Sequence, residues 1–147
     1  MSRATSTILF AVLALLMCGV PAFADPAHLL TGTWKVDVSK LTIPNTPRSV
    51  TLALAHVGGD RYKMTVDITF DPDGTPSPAV GNADYDKVSM TMPSARILVM
   101  GGAFEGHPAN TRVFSLLDDG MHMIETVVWH TPDGTPHTRV DSWTRAK

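Results

Sequence analysis

The chain has 147 residues, of which 44% are hydrophobic and 18% are charged, and its formal net charge is −2 at pH 7. Basic residues are scattered along the sequence rather than clustered. This pattern argues against nucleic acid as a partner and against electrostatic attraction to an anionic membrane surface.

The N-terminal segment has the three parts of a cleavable signal peptide. Arg3 precedes an apolar run from Ile8 to Cys18, and the segment closes on Ala22-Phe23-Ala24, a small-x-small cleavage site. The run is shorter than the roughly 20 residues that span a bilayer, and no second such run follows. We therefore expect residues 1–24 to be removed and residues 25–147 to form one soluble domain, periplasmic or secreted, without stable membrane insertion.

Cys18 offers a second interpretation of this segment, a lipoprotein anchor. Met17 stands before it, where the lipoprotein peptidase needs a small residue, so cleavage after Ala24 is favoured. Such cleavage removes Arg3 and the single cysteine, which changes the net charge from −2 to −3 and leaves no disulfide or thiolate chemistry. The remaining chain of about 120 residues can form one domain without covalent cross-links.

Period-two alternation of apolar and polar residues predicts half-buried β-strands along the whole domain. The clearest run extends from Tyr62 to Phe70, where Lys63, Thr65, Asp67 and Thr69 alternate with apolar side chains. One face of such a strand is buried and the other is solvated. The other expected strands lie at Thr33–Val38, Ser49–Val57, Pro78–Asn82, Lys87–Met92, Arg96–Met100, Asn110–Leu116, Met121–His130 and His137–Arg145.

Turn motifs separate these runs, and their Asp-Gly and Gly-Asp pairs supply the positive φ that short hairpin loops need. Successive hairpins predict an all-β, antiparallel up-and-down meander. An open sheet of about eight or nine strands has two exposed edges, which closure into a barrel removes. The turns are Gly58-Gly59-Asp60, Asp71-Pro72-Asp73-Gly74, Asp118-Asp119-Gly120 and Pro132-Asp133-Gly134.

The pentapeptide Pro72–Pro76 recurs as Pro132–Pro136. A shared turn preference is enough to explain this repeat. Equivalent hairpins would instead turn His122, Ile124, Thr126, Val128 and His130 inward. Hydrophobicity alone would turn Met121, Met123, Val127 and Trp129 inward together with Glu125. A shift of one residue exchanges the two faces, so both alternatives stay open.

Gly32-Thr33-Trp34 opens the first predicted strand. It resembles the Gly-x-Trp signature of lipocalins and related calycin barrels. The resemblance implies that Trp34 closes one end of the barrel and that an arginine of the last strand, Arg145 or alternatively Arg139, packs across its ring. Cation–π attraction would hold such a pair.

The wider sequence is similar to a group of uncharacterised exported bacterial lipocalin-like proteins. Four segments carry this similarity over most of the domain. They are Thr31–Lys35, Ile43–Pro47, Gly81–Asp86 and Trp143–Arg145.

A barrel of this size has an interior that is either filled by side chains or holds one small ligand. The excess of apolar residues on the predicted inward face favours a small apolar or amphipathic molecule as the partner. The expected ligand contacts are Leu52, Leu54, His56, Tyr62, Met64, Val66, Met90, Met92 and Glu125, with Ile97, Thr111, Val113 and Ser115 as further candidates.

A copper-handling protein is an alternative, because thioether and imidazole groups together favour copper(I). His130 and His137 flank a turn that would bring their rings close, and methionines occur at Met90, Met92 and Met121-His122-Met123. Alternation places Met121 and Met123 opposite His122, and no tight ligand motif is present. We therefore assign no metal or other cofactor and keep His130 and His137 as the candidate ligands.

Catalytic signatures are missing from the sequence: it has no nucleophile elbow, phosphate loop or dinucleotide fingerprint, so we assign no catalytic residue. A further alternative is an envelope protein-interaction domain with a filled barrel and an exposed apolar patch around Leu98, Met100 and Phe104. The favoured hypothesis is a non-catalytic exported barrel that binds a small molecule. The identity of the ligand and the oligomeric state are left open.

Overall fold

The computed structural model describes residues 28–41, 49–65 and 68–147. The predicted signal peptide, the segment Ile43–Pro47 and the candidate Val66 lie outside the described residues. The described chain forms ten β-strands and a short 3₁₀ turn at Val38–Lys40. The strands are β1 Gly32–Val36, β2 Thr51–Gly58, β3 Arg61–Met64, β4 Ile68–Phe70, β5 Ser77–Pro78, β6 Lys87–Ser94, β7 Ile97–Phe104, β8 His107–Leu116, β9 His122–His130 and β10 Pro136–Arg145.

All ten strands belong to one sheet in the order β4-β3-β2-β1-β10-β9-β8-β7-β6-β5. Every neighbouring pair is antiparallel, and β1 pairs with β10, so the first and last strands lie side by side. The two end strands, β4 and β5, face each other across a seam. Asp73 bridges Thr91 there, and the Gly74 amide donates to the Met90 carbonyl at 2.8 Å. The sheet is therefore a nearly closed barrel with little exposed edge.

The strand count exceeds the expected eight or nine because the alternating run Tyr62–Phe70 is not one strand. It forms β3 and β4, a hairpin in which Met64 pairs with Ile68 and Tyr62 with Phe70. These partners are separated by an odd number of residues, so the buried face keeps its period of two through the reversal. No glycine or proline stands between Met64 and Ile68 to indicate the turn.

A second hairpin that was not predicted from the sequence lies at the β7–β8 junction. Phe104 pairs with His107, and the two residues between them, Glu105 and Gly106, have φ of 50° and 83°. Positive φ at both positions is the geometry of a tight two-residue hairpin loop. The sequence does not indicate this turn, because Glu-Gly is not one of the preferred Asn-Gly or Asp-Gly pairs. Strands β7 and β8 therefore extend to the turn.

The repeated pentapeptides share a turn and nothing larger. Asp73 and Asp133 each accept a hydrogen bond from the amide two residues onward, at 2.8 and 3.1 Å. Only the second pentapeptide joins neighbouring strands, β9 and β10, whereas the first leads from β4 to β5. The repeat thus reflects a common local turn, as turn preference alone predicted.

The orientation of β9 follows hydrophobicity rather than the repeat. Met123, Glu125 and Val127 are buried, whereas His122 and His130 are exposed. The repeat-based alternative, with both histidines inside, is therefore wrong. Met121 precedes the strand and is 39% exposed, so it does not join the inward set.

The turn before β9 is fixed by Asp119. Its carboxylate accepts from the amides of Met121 at 2.8 Å and His122 at 3.0 Å, and lies 2.6 Å from His122 Nδ1. The His122 hydrogen bond, followed by the two amides, lowers the pKa of Asp119 from 3.8 to about 2. Because the native pKa is depressed, the stabilisation is present above pH 3.8 and is lost as the pH falls through about 2.

We expect the Asp119 carboxyl carbon to titrate by NMR with a midpoint of about 2. In His122→Ala the midpoint should rise toward the ordinary aspartate value, because the strongest hydrogen bond is removed. A wild-type Asp119 midpoint at the ordinary aspartate value of 3.8 would show that the turn hydrogen bonds do not form in solution.

Candidate functional site

One end of the barrel is closed by Trp34, which is 1% exposed. Trp34 lies opposite Arg145 in the β1–β10 register, and the Arg145 Cζ atom stands 4.2 Å from the centre of the indole. The indole Nε1 donates to the Leu30 carbonyl at 3.0 Å. Arg145 also donates to the carbonyls of Leu29, Thr31 and Gly120, and burial lowers its pKa. This pair therefore seals the closed end and fastens the segment before β1 to it.

Gly32 makes the close approach of Arg145 possible. Its φ is 134°, and a Cβ atom there would stand 2.5 Å from the Arg145 Nη1 atom. We expect Gly32→Ala to lower the free energy of unfolding by about 1–3 kcal/mol, because strain and displacement of the arginine add together. The matched control is Gly59→Ala, where φ is also positive at 58° but nothing lies within 4 Å. Equal losses in urea denaturation would contradict a role for Arg145 contact.

The interior near this closed end is filled by side chains. Nineteen hydrophobic residues of the described chain are buried, among them Trp34, Phe70, Met90, Leu98 and Met100. Leu98 and Met100 are each 1% exposed, so the predicted exposed patch around them is wrong; only Phe104, at 43%, is exposed. Apolar side chains of this part of the barrel therefore form a core.

The opposite half of the barrel is polar on one wall. Register places Arg112, Val127 and Arg139 in one row across β8, β9 and β10, and Phe114, Glu125 and Asp141 in the next. Arg112 Nη1 donates to Glu125 Oε1 at 3.0 Å, and Trp143 Nε1 donates to Glu125 Oε2 at 3.0 Å. Two arginines and two carboxylates thus face the lumen.

The arginines form separate ion pairs. Arg139 Nε donates to both Asp141 oxygens, at 2.9 and 3.0 Å. Asp141 and Glu125 are 3% and 1% exposed, whereas the side chains of Arg139 and Arg112 are 23% and 25% exposed. The carboxylates therefore lie deep and the guanidinium groups lie nearer the opening. Desolvation raises the pKa of Glu125, and the charge of Arg112 opposes that rise.

A cavity of about 310 Å³ opens above this wall, and Arg139, its lining residue on β10, lies six residues along that strand from Arg145. Trp129 and Val127 give it an apolar side, and the two arginines give it a polar base. Its lining residues are Asp84, Ala109, Asn110, Arg112, Val127, Trp129 and Arg139.

Two residues that line this cavity each have one buried polar atom, Asn110 Oδ1 and Arg112 Nε, without a hydrogen-bond partner among the residues that the structure describes. Tyr85, which is 7% exposed, packs beside them where Gly102 has no side chain. Burial raises the pKa of Tyr85, with the charge of Arg112 opposing the rise. Leaving a buried donor or acceptor unpaired costs about 1–3 kcal/mol. These two unpaired atoms therefore reduce the stability of the open end of the barrel.

A larger depression, of about 640 Å³, lies outside the lumen between the β2–β3 turn and the loop after β4. Turn residues Val57–Arg61 and Asp71–Asp73 line it. Most of these residues are exposed, so the smaller cavity, which has Val127 and Trp129 in its lining, is the better candidate for a ligand site.

Most of the ligand contacts predicted from sequence lie away from this cavity. Leu54, Tyr62, Met64 and Met90 belong to the buried core, with Leu52 and Met92 packed against it. Tyr62 and Met92 also border a cavity of about 230 Å³ near the seam. Of the predicted set, Glu125 supports the cavity wall through Arg112. The further candidates Ile97, Val113 and Ser115 each adjoin a buried residue of the inward set and face outward, and the exposed Thr111 has the same orientation on β8.

His56 lies elsewhere, at the closed half of the barrel. Its exposed ring stacks on His28 with centroids 3.9 Å apart, and both rings contact Tyr62 edge-on. His28 Nδ1 lies 2.8 Å from the Tyr62 hydroxyl. This cluster joins the segment before β1 to strands β2 and β3.

The histidines proposed as metal ligands do not converge. His137 stacks on Trp129 with ring centres 5.4 Å apart, while His130 pairs with Pro136 and alternates to the other face. Within the described ranges no group of three or more histidine, cysteine, aspartate or glutamate side chains could hold a metal ion. No helix in the same ranges is long and apolar enough to cross a membrane.

Sequence reasoning missed Asn110, Arg112, Trp129, Arg139 and Asp141 as site residues. A signal for two of them was present. Arg139 and Asp141 share the parity of Trp143 and Arg145 on β10, so the predicted Trp34–Arg145 contact already implied that they face the lumen. Position along the barrel, which decides whether an inward residue lines a cavity or fills the core, is not encoded in alternation.

No family model and no curated protein sequence matches this chain. Among solved structures, it is similar to zebrafish ileal bile acid-binding protein complexed with cholic acid, with a TM-score of 0.51 and 13% sequence identity. The alignment covers 81% of this chain and 100% of that one. At this identity the similarity shows the fold alone, a calycin-like, nearly closed antiparallel barrel.

Proposed function

We propose that the protein binds one small amphipathic molecule in the cavity at the open end of the barrel, without transforming it. The observation that carries the proposal is the lining of the cavity, in which an apolar side formed by Val127 and Trp129 stands beside the part-exposed side chains of Arg112 and Arg139. A bound molecule would cover Trp129 and Val127 and place its polar group against the guanidinium groups. Ligand sites in proteins typically combine an apolar lining with a few such polar groups.

The cavity volume limits the size of the ligand. A water molecule takes about 30 Å³ in the liquid, so the cavity, at about 310 Å³, has the volume of about ten waters. The rest of the lumen is filled by the core side chains. The ligand is therefore a compact molecule of about ten non-hydrogen atoms. The similarity to a barrel complexed with cholic acid supports the class of small amphipathic molecules and does not identify the ligand.

A binding role fits the state of the buried acids better than catalysis does. Both oxygens of Glu125 accept hydrogen bonds, from Arg112 and Trp143, and the side chain is 1% exposed. A general base needs to reach the proton that it abstracts. Glu125 instead holds Arg112 in position. We further propose a periplasmic or secreted location, which rests on the signal peptide predicted at residues 1–24.

Native mass spectrometry of the protein purified from an exporting host tests this function. We expect an organic mass to accompany the wild-type protein and to be lost after partial organic extraction. Val127→Trp, which fills the cavity, is the matched variant and should purify without that mass while keeping its β-sheet circular dichroism. A wild-type protein that carries no organic mass, and acquires none on incubation with a host extract, would contradict the proposal.

A further inference from the structure

The outer wall of the barrel is uncharged across strands β7 to β10, all of whose residues the structure describes. Strand register sets the outward side chains in three rows, and we call these rows the outer face. The central row is Val99, Val113, Thr126 and Val140. The flanking rows are Ile97, Ser115, Ile124 and Ser142 on one side, and Gly101, Thr111, Val128 and Thr138 on the other.

Charge returns at the strands on either side of the outer face. Lys35 lies on β1, next to β10, and Lys87 lies on β6, next to β7, and both are exposed. Between them Val128 and Val140 are 42% and 58% exposed. Strand propensity accounts for β-branched residues here, but it does not account for four adjoining strands without charge. An apolar area rimmed by polar residues marks a surface that meets another protein.

The outer face has the size of a small specific interface. Four strands about 4.8 Å apart and about nine residues long, at about 3.3 Å per residue, cover about 570 Å². Two such faces together bury about 1,100 Å², above the roughly 1,000 Å² expected of a specific contact. Because the wall of a barrel is convex, the contact stays at this low end of the range, and the pair should dissociate on dilution.

The two ends of the outer face have complementary shapes. Leu117 directly follows β8 at one end and is 43% exposed. At the other end Ala109, Val128 and Pro136 help to line a depression of about 260 Å³. Leu117 and Ala109 are each four residues along the chain from Val113. A two-fold axis that crosses the strands over the central row therefore places Leu117 of each copy over the depression of the other.

We infer that two copies of this chain pair through their outer faces in a two-fold symmetric dimer. The central rows of the two copies lie in contact, and Leu117 fills the depression on the opposite copy. The inference goes beyond the proposed function, because the outer face is on the opposite side of the sheet from Arg112 and Arg139. Pairing therefore needs no ligand.

Sedimentation velocity of the exported protein over a concentration series tests the pairing. We expect the wild-type protein to reach twice the mass of a single chain on concentration and to return to it on dilution. Val140→Glu places two like charges against each other at the axis, so this variant should stay a single chain. The matched control is Val57→Glu on β2, where the native valine is 50% exposed and lies outside the outer face. It should pair like the wild type, and circular dichroism checks that both variants fold.

A mixture of variants tests the two-fold arrangement. Because a residue on the axis meets its own counterpart, Val140→Lys should also stay a single chain, and an equal mixture with Val140→Glu should recover the dimer mass. A wild-type protein that stays a single chain at every concentration would overturn the inference, whether or not another protein binds this face. Pairing that survives in Val140→Glu, that is lost equally in Val57→Glu, or that the mixture does not recover would overturn it too.

Discussion

Replacing Trp34 with alanine is expected to lower the free energy of unfolding by about 3–5 kcal/mol, as truncation of a large buried aromatic side chain does. Trp34 is 1% exposed, and three contacts depend on it: the core beneath, the Leu30 carbonyl and the Arg145 guanidinium 4.2 Å above its ring. Its removal leaves a cavity at the closed end and exposes a buried carbonyl. Urea denaturation of the exported protein measures the loss.

Trp129→Ala is the matched control for this prediction. Trp129 is only partly buried and lies at the rim of the open end, where solvent can replace it. Its removal should therefore cost much less stability than the removal of Trp34. Similar losses in the free energy of unfolding for the two variants would mean that the Trp34–Arg145 pair stabilises the fold no more than an exposed rim tryptophan does.

Replacing Glu125 with leucine is expected to destabilise the fold by about 3–5 kcal/mol, although leucine suits a buried site. The substitution leaves the Arg112 charge and the Trp143 Nε1 donor without their common partner, and an uncompensated buried charge is strongly unfavourable. The double substitution Arg112→Met with Glu125→Leu removes both charges and should recover most of the loss. If the double variant loses as much free energy of unfolding as the two single variants together, the two side chains are not coupled.

The Glu125 carboxyl group should also make the stability of the fold depend on pH. Burial raises the pKa of Glu125 above its ordinary value of 4.5. The folded protein therefore binds this proton more tightly than the unfolded chain, so stability should fall as pH rises from about 4.5 through the native pKa. In Glu125→Gln, which has no proton to lose, this part of the pH profile should be flat. An unchanged profile would assign the slope to other groups.

Alternation predicted which side chains face inward better than it predicted where strands end. In the run from Tyr62 to Phe70 every described apolar residue is buried, yet the chain reverses between Met64 and Ile68. Because an odd number of residues separates Met64 from Ile68, apolar and polar residues alternate without interruption through the loop. One continuous strand and a hairpin therefore give the same sequence pattern. The Glu105–Gly106 turn was missed for a different reason, its unusual turn sequence.

The closed end of the barrel was accessible from sequence, but the open-end cavity was not. The Gly-x-Trp resemblance led directly to Trp34, Gly32 and Arg145, which the structure places in contact. In contrast, the predicted ligand contacts were chosen for hydrophobicity, and that property selects residues that fill a core. The cavity is bordered by Arg112 and Arg139, whose inward orientation becomes acceptable only through their pairing with Glu125 and Asp141. Ion pairs between neighbouring strands, such as Arg112–Glu125, form only in one register of the two strands. Turn length sets that register, and the sequence alone does not fix the turn length.

The most direct test of the open-end site follows the Trp129 Nε1–H resonance in the ¹⁵N-labelled protein during titration with benzamide, a compact planar amphipathic probe. Trp129 lines the cavity, whereas the Trp34 Nε1–H is bonded to Leu30 at the closed end. We expect a saturable shift of the Trp129 signal, while the Trp34 signal stays in place. A Trp129 signal that remains unmoved at high benzamide concentration, or that moves only as much as the Trp34 signal, would contradict the proposed site.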